Sequence, residues 1–295
     1  MWDLTRLRLL RELELRGTVT AVAQSLGYSP STVSQQLAKL EREVGSPLLE
    51  PDGRRVRLTR QGSVVAAHAA RVMDLEEATR GELDAVRPGP ETVRISALET
   101  VAQRLLPDTL AQLARTHPHL RVEIAVLPPE DGLFELEGRS VDITIAEQYP
   151  GLTRPLRSGV QRRPLGRDPV RLAVPQDSAV RSLADAAGLA WVTEPRGTMV
   201  HQWIVQQCRA AGFEPDLRYE SADLQVHVHL VAAGHAVSAM PDLAWQGPRT
   251  GIRLVELPGM PRRELFTSVR DASRDRPAIR AVQAALASAL AAHQA

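Results

Sequence analysis

One cysteine, Cys208, is all that 295 residues contain. That scarcity excludes an internal disulfide, a cysteine-rich zinc site and a two-cysteine redox switch, and it points to a cytoplasmic protein. Lysine is almost missing too, with Lys39 alone; arginine takes its place, a genomic composition bias without functional meaning. No uninterrupted apolar run approaches the ~18 residues of a membrane span, and the N-terminal MWDLTRLRLLREL interleaves charges with its apolar positions. Neither a signal peptide nor a membrane partner is expected. Net charge is only +1 and 43% of the residues are apolar, which fits a globular chain of about two domains or more rather than a polycation. A nucleic-acid site would need a local cluster of arginine, and one exists at Arg54, Arg55, Arg57 and Arg60. Also missing are a nucleophile elbow, a phosphate loop and a dinucleotide fingerprint, so neither enzymatic activity nor a cofactor is expected.

What the chain does have is concentrated between Thr18 and Val44. Ser29 is a good N-cap and Pro30 suits the first helical position, where no amide hydrogen is needed. In the helix that follows, Val33, Leu37, Leu40 and Val44 form one apolar stripe, and at ~100° per residue Ser31, Gln35, Lys39 and Arg42 point away from it. Ala21, Val22 and Leu26 of a preceding short helix can pack on that stripe, with Gly27 supplying a left-handed corner. Residues 3–16 carry Leu4, Leu7, Leu10 and Leu13 at helical spacing, a third helix for the same small core. After it, SPLLEPDGRRVRLTRQG reads as a hairpin turning at Asp52-Gly53, with Val56 and Leu58 inward and Arg55 and Arg57 outward. A polar helix face is also what any solvated helix shows, and a charged hairpin also protects a sheet edge.

From Thr59 to Val86 a long helix is predicted, with Val65, Val72, Leu75 and Val86 as a thin stripe suited to pairing with a second chain. Arg87-Pro88-Gly89-Pro90 ends it. Beyond, strands and helices alternate: strand 93–95, helix 100–116, strands 120–126 and 141–145, a chain crossing at 161–168, strand 170–174, strand 189–192, helix 199–211, strand 217–219, helix 224–233 and strand 236–240. This predicts a mainly parallel sheet covered by helices, in two α/β halves. Strand 265–269 and helix 278–292 are expected to return to the first half. The expected fold class is therefore α plus α/β: a winged helix-turn-helix over 1–59, a linker helix over 60–87, and a two-lobed domain over 91–295. Its lobes are expected at 91–163 with 265–295, and at 164–264.

AVAQSLGYSPSTVSQQLAKLEREVG, then PLLEPDGRRVRLTRQG, a long helix and two α/β halves together resemble the LysR-type transcriptional regulators over the whole chain. LLPDTL at 105–110 and VAAGHAVSAMPDLA at 231–244 add to the likeness. The resemblance implies a sequence-specific DNA-binding regulator, dimeric or tetrameric, whose partners are double-stranded operator DNA and a small-molecule effector held between two lobes like those of periplasmic binding proteins. It implies groove contacts from Pro30, Ser31, Thr32, Ser34, Gln35 and Lys39, with Gln35 best suited to bidentate readout of adenine, and backbone or minor-groove contacts from Arg54 and Arg55. The effector is expected against Leu98, Glu99, Thr100, Pro128, Glu147, Arg196, Thr198 and Ser221, near strand ends and helix starts.

Two departures stand out. Leu98 and Glu99 occupy positions where the family commonly has a serine or threonine for an anionic effector, and Glu147 adds a second carboxylate; a cationic or neutral ligand is expected instead, with Arg196 as the contrary sign. A first-turn acid at Glu99 also suits a helix dipole without any ligand. Leu49 and Pro51 stand where an aromatic and a basic residue are usual. His227 and His229 would share a face only on a strand, so no metal site is expected, and Cys208 reads as a small buried hydrophobe. The alternative to a regulator is a solute-binding or enzymatic α/β protein with an incidental helical N-terminal domain.

Overall fold

The computed structural model describes residues 1–53, 55–86, 89–245 and 250–294. Three short helices come first: α1 (Leu4–Arg16), α2 (Val19–Leu26) and α3 (Pro30–Val44). Each starts on a side-chain cap, from Asp3, Thr18 and Ser29, and each ends on a left-handed glycine, Gly17, Gly27 or Gly45. Leu7, Leu10 and Leu13 of α1, Val22 of α2 and Val33, Leu37 and Leu40 of α3 bury one core, at about 1.5–3 kcal/mol for each large aliphatic side chain. Strands β1 (Leu49–Asp52) and β2 (Arg55–Leu58) form the antiparallel wing. Glu41 of α3 holds it, its carboxylate accepting from the amides of Leu48 (2.8 Å) and Leu49 (3.1 Å).

Helix α4 (Arg60–Val86) is a single rod whose Val65, Ala66, Ala69 and Met73 turn toward the head. This corrects the predicted stripe. Val65 belongs to the head's core, whereas Val64, Leu75 and Val86 are exposed at 66%, 70% and 84%. Their eleven-residue spacing brings them back to one face, because three helical turns use nearly eleven residues.

The remainder runs β3 (Glu91–Ala97), α5 (Glu99–Arg104), α6 (Leu106–Thr116), β4 (Leu120–Val126), α7 (Pro129–Glu137), β5 (Ile143–Gln148) and β6 (Val160–Pro175). It continues β7 (Ala190–Thr193), α8 (Met199–Ala210), β8 (Asp216–Glu220), α9 (Leu224–Ala232), β9 (Ser238–Pro241), β10 (Ile252–Glu256), β11 (Arg262–Arg270) and α10 (Pro277–Gln294). The predicted helix 100–116 is two helices broken at Leu105, because Pro107 has no amide hydrogen for the preceding turn and starts α6 instead. The sheet is mixed rather than mainly parallel. Strand β3 lies parallel to β4 and β5, but β11 runs antiparallel to both β5 and β6, and β6 antiparallel to β9 and β10. The crossing expected at 161–168 is itself strand. Pro164, Gly166 and Pro169 hide it from sequence pattern, and the ladder accommodates them with a register shift between Leu265 and Phe266.

Two cores result. Val93, Ile95, Leu106, Ile143, Ile145 and Leu265 pack with Ile279, Val282 and Leu286 of α10, so the last helix closes the first half. Val170, Leu172, Trp191, Trp203, Ile204 and Val237 form the second, with Cys208 fully buried among them. Strand β6 passes through both halves without a break, and β11 begins beside its crossing, where the Val170 amide donates to the Pro261 carbonyl at 2.9 Å. Both halves therefore face a common cleft.

Candidate DNA-reading and effector sites

On α3 the exposed residues are those the apolar stripe leaves over: Pro30, Ser31, Ser34, Gln35 and Lys39 face solvent, and Thr32 is half-buried. The Ser29 hydroxyl accepts from the Thr32 amide (3.1 Å) and shares hydrogen bonds of 2.8 Å with the hydroxyls of Ser31 and Thr32. The first turn is thus ordered before any ligand arrives. Lys39 and Arg42 put positive charge farther along the same exposed side. In the wing, Val56 and Leu58 are half-buried and Arg57 is exposed, paired with Glu50 at 2.9 Å. Arg54 lies outside the described residues, as does the side chain of Arg55.

The head does not float free of the rest. Arg16 at the end of α1 donates to Glu12 of its own helix (2.7 Å) and with both terminal nitrogens to Glu135 of α7 (3.0 and 2.9 Å), while its guanidinium lies 5.2 Å from the Phe134 ring centroid. Glu135 holds Arg16 strongly enough to raise the guanidinium's pKa, despite the opposing effect of burial. Farther along, Glu77 of α4 accepts from Arg270 of β11 at 2.8–3.0 Å and from Arg139 just after α7. Burial pushes the Glu77 carboxyl up, but Arg270 and Arg139 outweigh it and leave its pKa below the ordinary value.

A cavity of about 250 Å³ opens between the two halves. It brings together Leu98, Glu99, Thr100, Pro128, Glu147 and Thr198, six of the residues expected from sequence. Arg196 and Ser221 lie outside its lining. Arg196 is exposed and paired with Glu220 at 3.0 Å, and the Ser221 hydroxyl turns to the backbone of Asp223, although their loops bring Glu194, Thr198 and Ala222 to the cavity. The two threonines are already engaged: Thr100 accepts from Arg263 (2.8 Å), while Thr198 caps α8 and donates to the Pro195 carbonyl (2.9 Å).

Arg263, Arg154, Glu130 and Glu194 line the cavity as well, and sequence reading missed all four. Arg263 is completely enclosed. It donates to Asp168 from Nε (2.9 Å) and a terminal nitrogen (2.7 Å), and it pairs with Glu147 and Thr100. Arg154 donates to the Glu147 carbonyl (2.7 Å) and pairs with Glu130. Burial raises the Glu99 carboxyl, helped by Asp223, and burial beside Glu147 pushes Glu194 up to about 8. Arginine is so common in this chain that a functional guanidinium has no contrast in sequence. Glu194 had a signal, since it directly follows β7 at the carboxyl edge where ligands bind in open α/β sheets. His227, one of the histidines weighed for metal, is buried between the Ser238 hydroxyl (3.1 Å) and the Ser221 carbonyl (2.8 Å), and burial lowers its pKa.

A capped helix-turn-helix with a wing, joined by a rod to a two-lobed cleft, defines a ligand-responsive DNA-binding regulator. Family models agree: "Bacterial regulatory helix-turn-helix protein, lysR family" matches residues 4–63 and "LysR substrate binding domain" residues 88–291. The chain belongs to the LysR family of DNA-binding transcriptional regulators. It is 25% identical over 287 residues to the transcriptional dual regulator GltC of Bacillus subtilis, covering 91% of this chain and 94% of that one. To a hydrogen peroxide-inducible genes activator of Dickeya chrysanthemi it is 26% identical over 278 residues, covering 86% and 88%. A cysteine-to-aspartate variant of full-length OxyR from Pseudomonas aeruginosa superposes with a TM-score of 0.68 at 21% identity, over 97% of this chain and 95% of that structure. No described helix is long and apolar enough to cross a membrane.

Proposed function

We propose that this regulator reads operator DNA with Pro30, Ser31, Thr32, Ser34, Gln35 and Lys39 of α3 in the major groove and with Arg54 and Arg55 of the wing on the backbone or minor groove. Gln35 reads a base and the arginines anchor. A small molecule in the interlobe cavity, against Leu98, Glu99, Thr100, Pro128, Glu147 and Thr198, modulates that binding. The observation that carries the reading is helix α7. Its first turn, with Pro129 and Glu130, lines the cavity, and its last turn, with Glu135, holds Arg16 of the head.

The units of this reading are the head over 1–59, the linker helix over 60–87 and the effector domain over 91–295, with lobes at 91–163 plus 265–295 and at 164–264. Two chains pair through the exposed face of Val64, Leu75 and Val86, so the operator has two related half-sites. The chain works in the cytoplasm and catalyses no reaction. Peroxide sensing does not transfer from the Dickeya relative's name, because Cys208 is fully buried and burial pushes its thiol up to about 12, far from the thiolate that such chemistry needs.

Fluorescence anisotropy of the full chain on DNA from upstream of its own gene tests this. Binding is expected to weaken steeply with salt. Gln35→Ala should cost about 1–3 kcal/mol on the best site and relax its sequence preference, while Arg55→Ala should weaken all sequences alike. Absence of salt-sensitive binding would overturn the proposal.

A further inference from the structure

The pairing of charges inside the cavity decides what can enter it. Its lining contains Glu99, Glu130, Glu147 and Glu194 against Arg154 and Arg263. Both guanidiniums are engaged within the wall, Arg263 through all three of its nitrogens. Arg263 gives its hydrogens to Asp168, Glu147 and Thr100, and Arg154 gives its own to Glu130 and the Glu147 carbonyl. Arg263 cannot grip the carboxylate of a bound molecule without abandoning buried Glu147 or Asp168, which costs more than an exchange in water would, and Arg154 would have to give up its pair with the exposed Glu130.

Neither Glu99 nor Glu194 forms an ion pair among the described residues, although the charge of Arg263 is felt at Glu194. Glu99 accepts from the side chain of Gln103 at 2.8 Å and from the backbone amide of Leu224, both neutral donors. No described residue makes a hydrogen bond or ion pair with the Glu194 carboxylate, although it is largely enclosed. Around these two acids the walls are apolar: Leu98, Val126, Leu127, Met199, Val200 and Leu224. Carboxylates that lack a cationic partner in such surroundings are complementary to positive charge carried on an apolar body.

We propose that the cavity binds an organic ammonium cation, its charged head held by Glu99 and Glu194 and its apolar body lying along Leu98, Val126, Met199 and Leu224. The inference rests on reading this cavity as the effector site. An ammonium group carries three donors and no acceptor, which suits two carboxylates facing one small space. The cavity volume of about 250 Å³ limits the ligand to the small end of the range that binding sites accommodate. Glu147, Glu130, Glu99, Tyr149 and Arg263 face Glu194 and the His201 ring lies 3.3 Å from its carbonyl; burial and the three carboxylates outweigh Arg263 and keep a proton on it near neutrality. A cation entering the cavity expels that proton, so binding strengthens as pH rises toward about 8 and then levels off.

Three probes of one shape decide the matter, titrated calorimetrically into the full chain: n-pentylammonium, 1-pentanol and pentanoate. Pentylammonium is expected to bind about tenfold or more tighter than either of the others at about pH 8, and to lose about tenfold or more in affinity at about pH 6. Glu194→Gln should remove both the preference and the pH dependence, and Glu99→Gln should weaken binding while leaving that pH dependence in place. Ala222→Phe, a change at an exposed residue of the cavity mouth, should block all binding. Pentanoate binding best, and blocked by Ala222→Phe, would overturn the cationic class while leaving the cavity as the effector site. Binding of no probe would overturn both readings. Pentylammonium binding that ignores Glu194→Gln and Glu99→Gln would overturn the assignment of the charged head.

Discussion

Truncating Arg263 to alanine would leave Glu147 and Asp168, each nearly enclosed, without their shared cation. Unfolding of that variant in denaturant should show a loss of about 3–5 kcal/mol, and Arg263→Lys should recover little because an ammonium cannot fork between Asp168, Glu147 and Thr100. Glu194 gives the opposite kind of prediction. Its folded carboxyl sits above its ordinary value, so the folded chain binds a proton that the unfolded chain has released. Stability from this group is therefore complete below the unfolded pKa and is lost as pH rises from about 5 to about 8. Thermal melts of the unliganded protein should show that decline, and Glu194→Gln should flatten it. Arg263's role is not visible in sequence, because it depends on which charges the fold pairs, and for Glu194 only the place after a strand is legible, not its isolation from a partner. Glu99 was legible as a cavity residue from its place after the first strand.

Among the elements, α3 is the most legible, since a Ser-Pro start, a four-residue apolar stripe and a closing Gly45 all agree. Helix α7 is the least. It opens on Pro128-Pro129 and carries Gly132, which reads as a loop. The glycine is there because a Cβ would come within 2.6 Å of the Ser96 hydroxyl and 2.9 Å of Thr144, so the helix lies directly on β3 and β5. Seated this closely, α7 is expected to move as one body. Glu135→Ala is therefore expected to leave ligand affinity nearly unchanged but to reduce the ligand's effect on DNA affinity by several-fold, within the ~1–3 kcal/mol typical of coupled sites. Paired titrations of ligand and DNA would show this, and an undiminished ligand effect would reject α7 as the route.

For the molecule as a whole, the order of head, rod and two α/β halves was legible because each has its own period and its own boundary signal. Strand direction was not, since antiparallel returns such as β11 onto β5 join segments far apart in sequence and leave no local trace. The face of Val64, Leu75 and Val86 has no partner within the chain's described residues, and Leu75→Glu should shift the protein toward monomer in sedimentation while leaving its melting temperature nearly unchanged. Such a monomer should bind a single half-site far more weakly than the dimer binds two. One last property follows from the unbroken passage of β6 between the halves. A cleft hinged on a loop swings freely and rests wherever thermal motion leaves it. One hinged on a hydrogen-bonded strand is expected to act as a leaf spring, resisting closure and returning to its resting shape when the ligand departs.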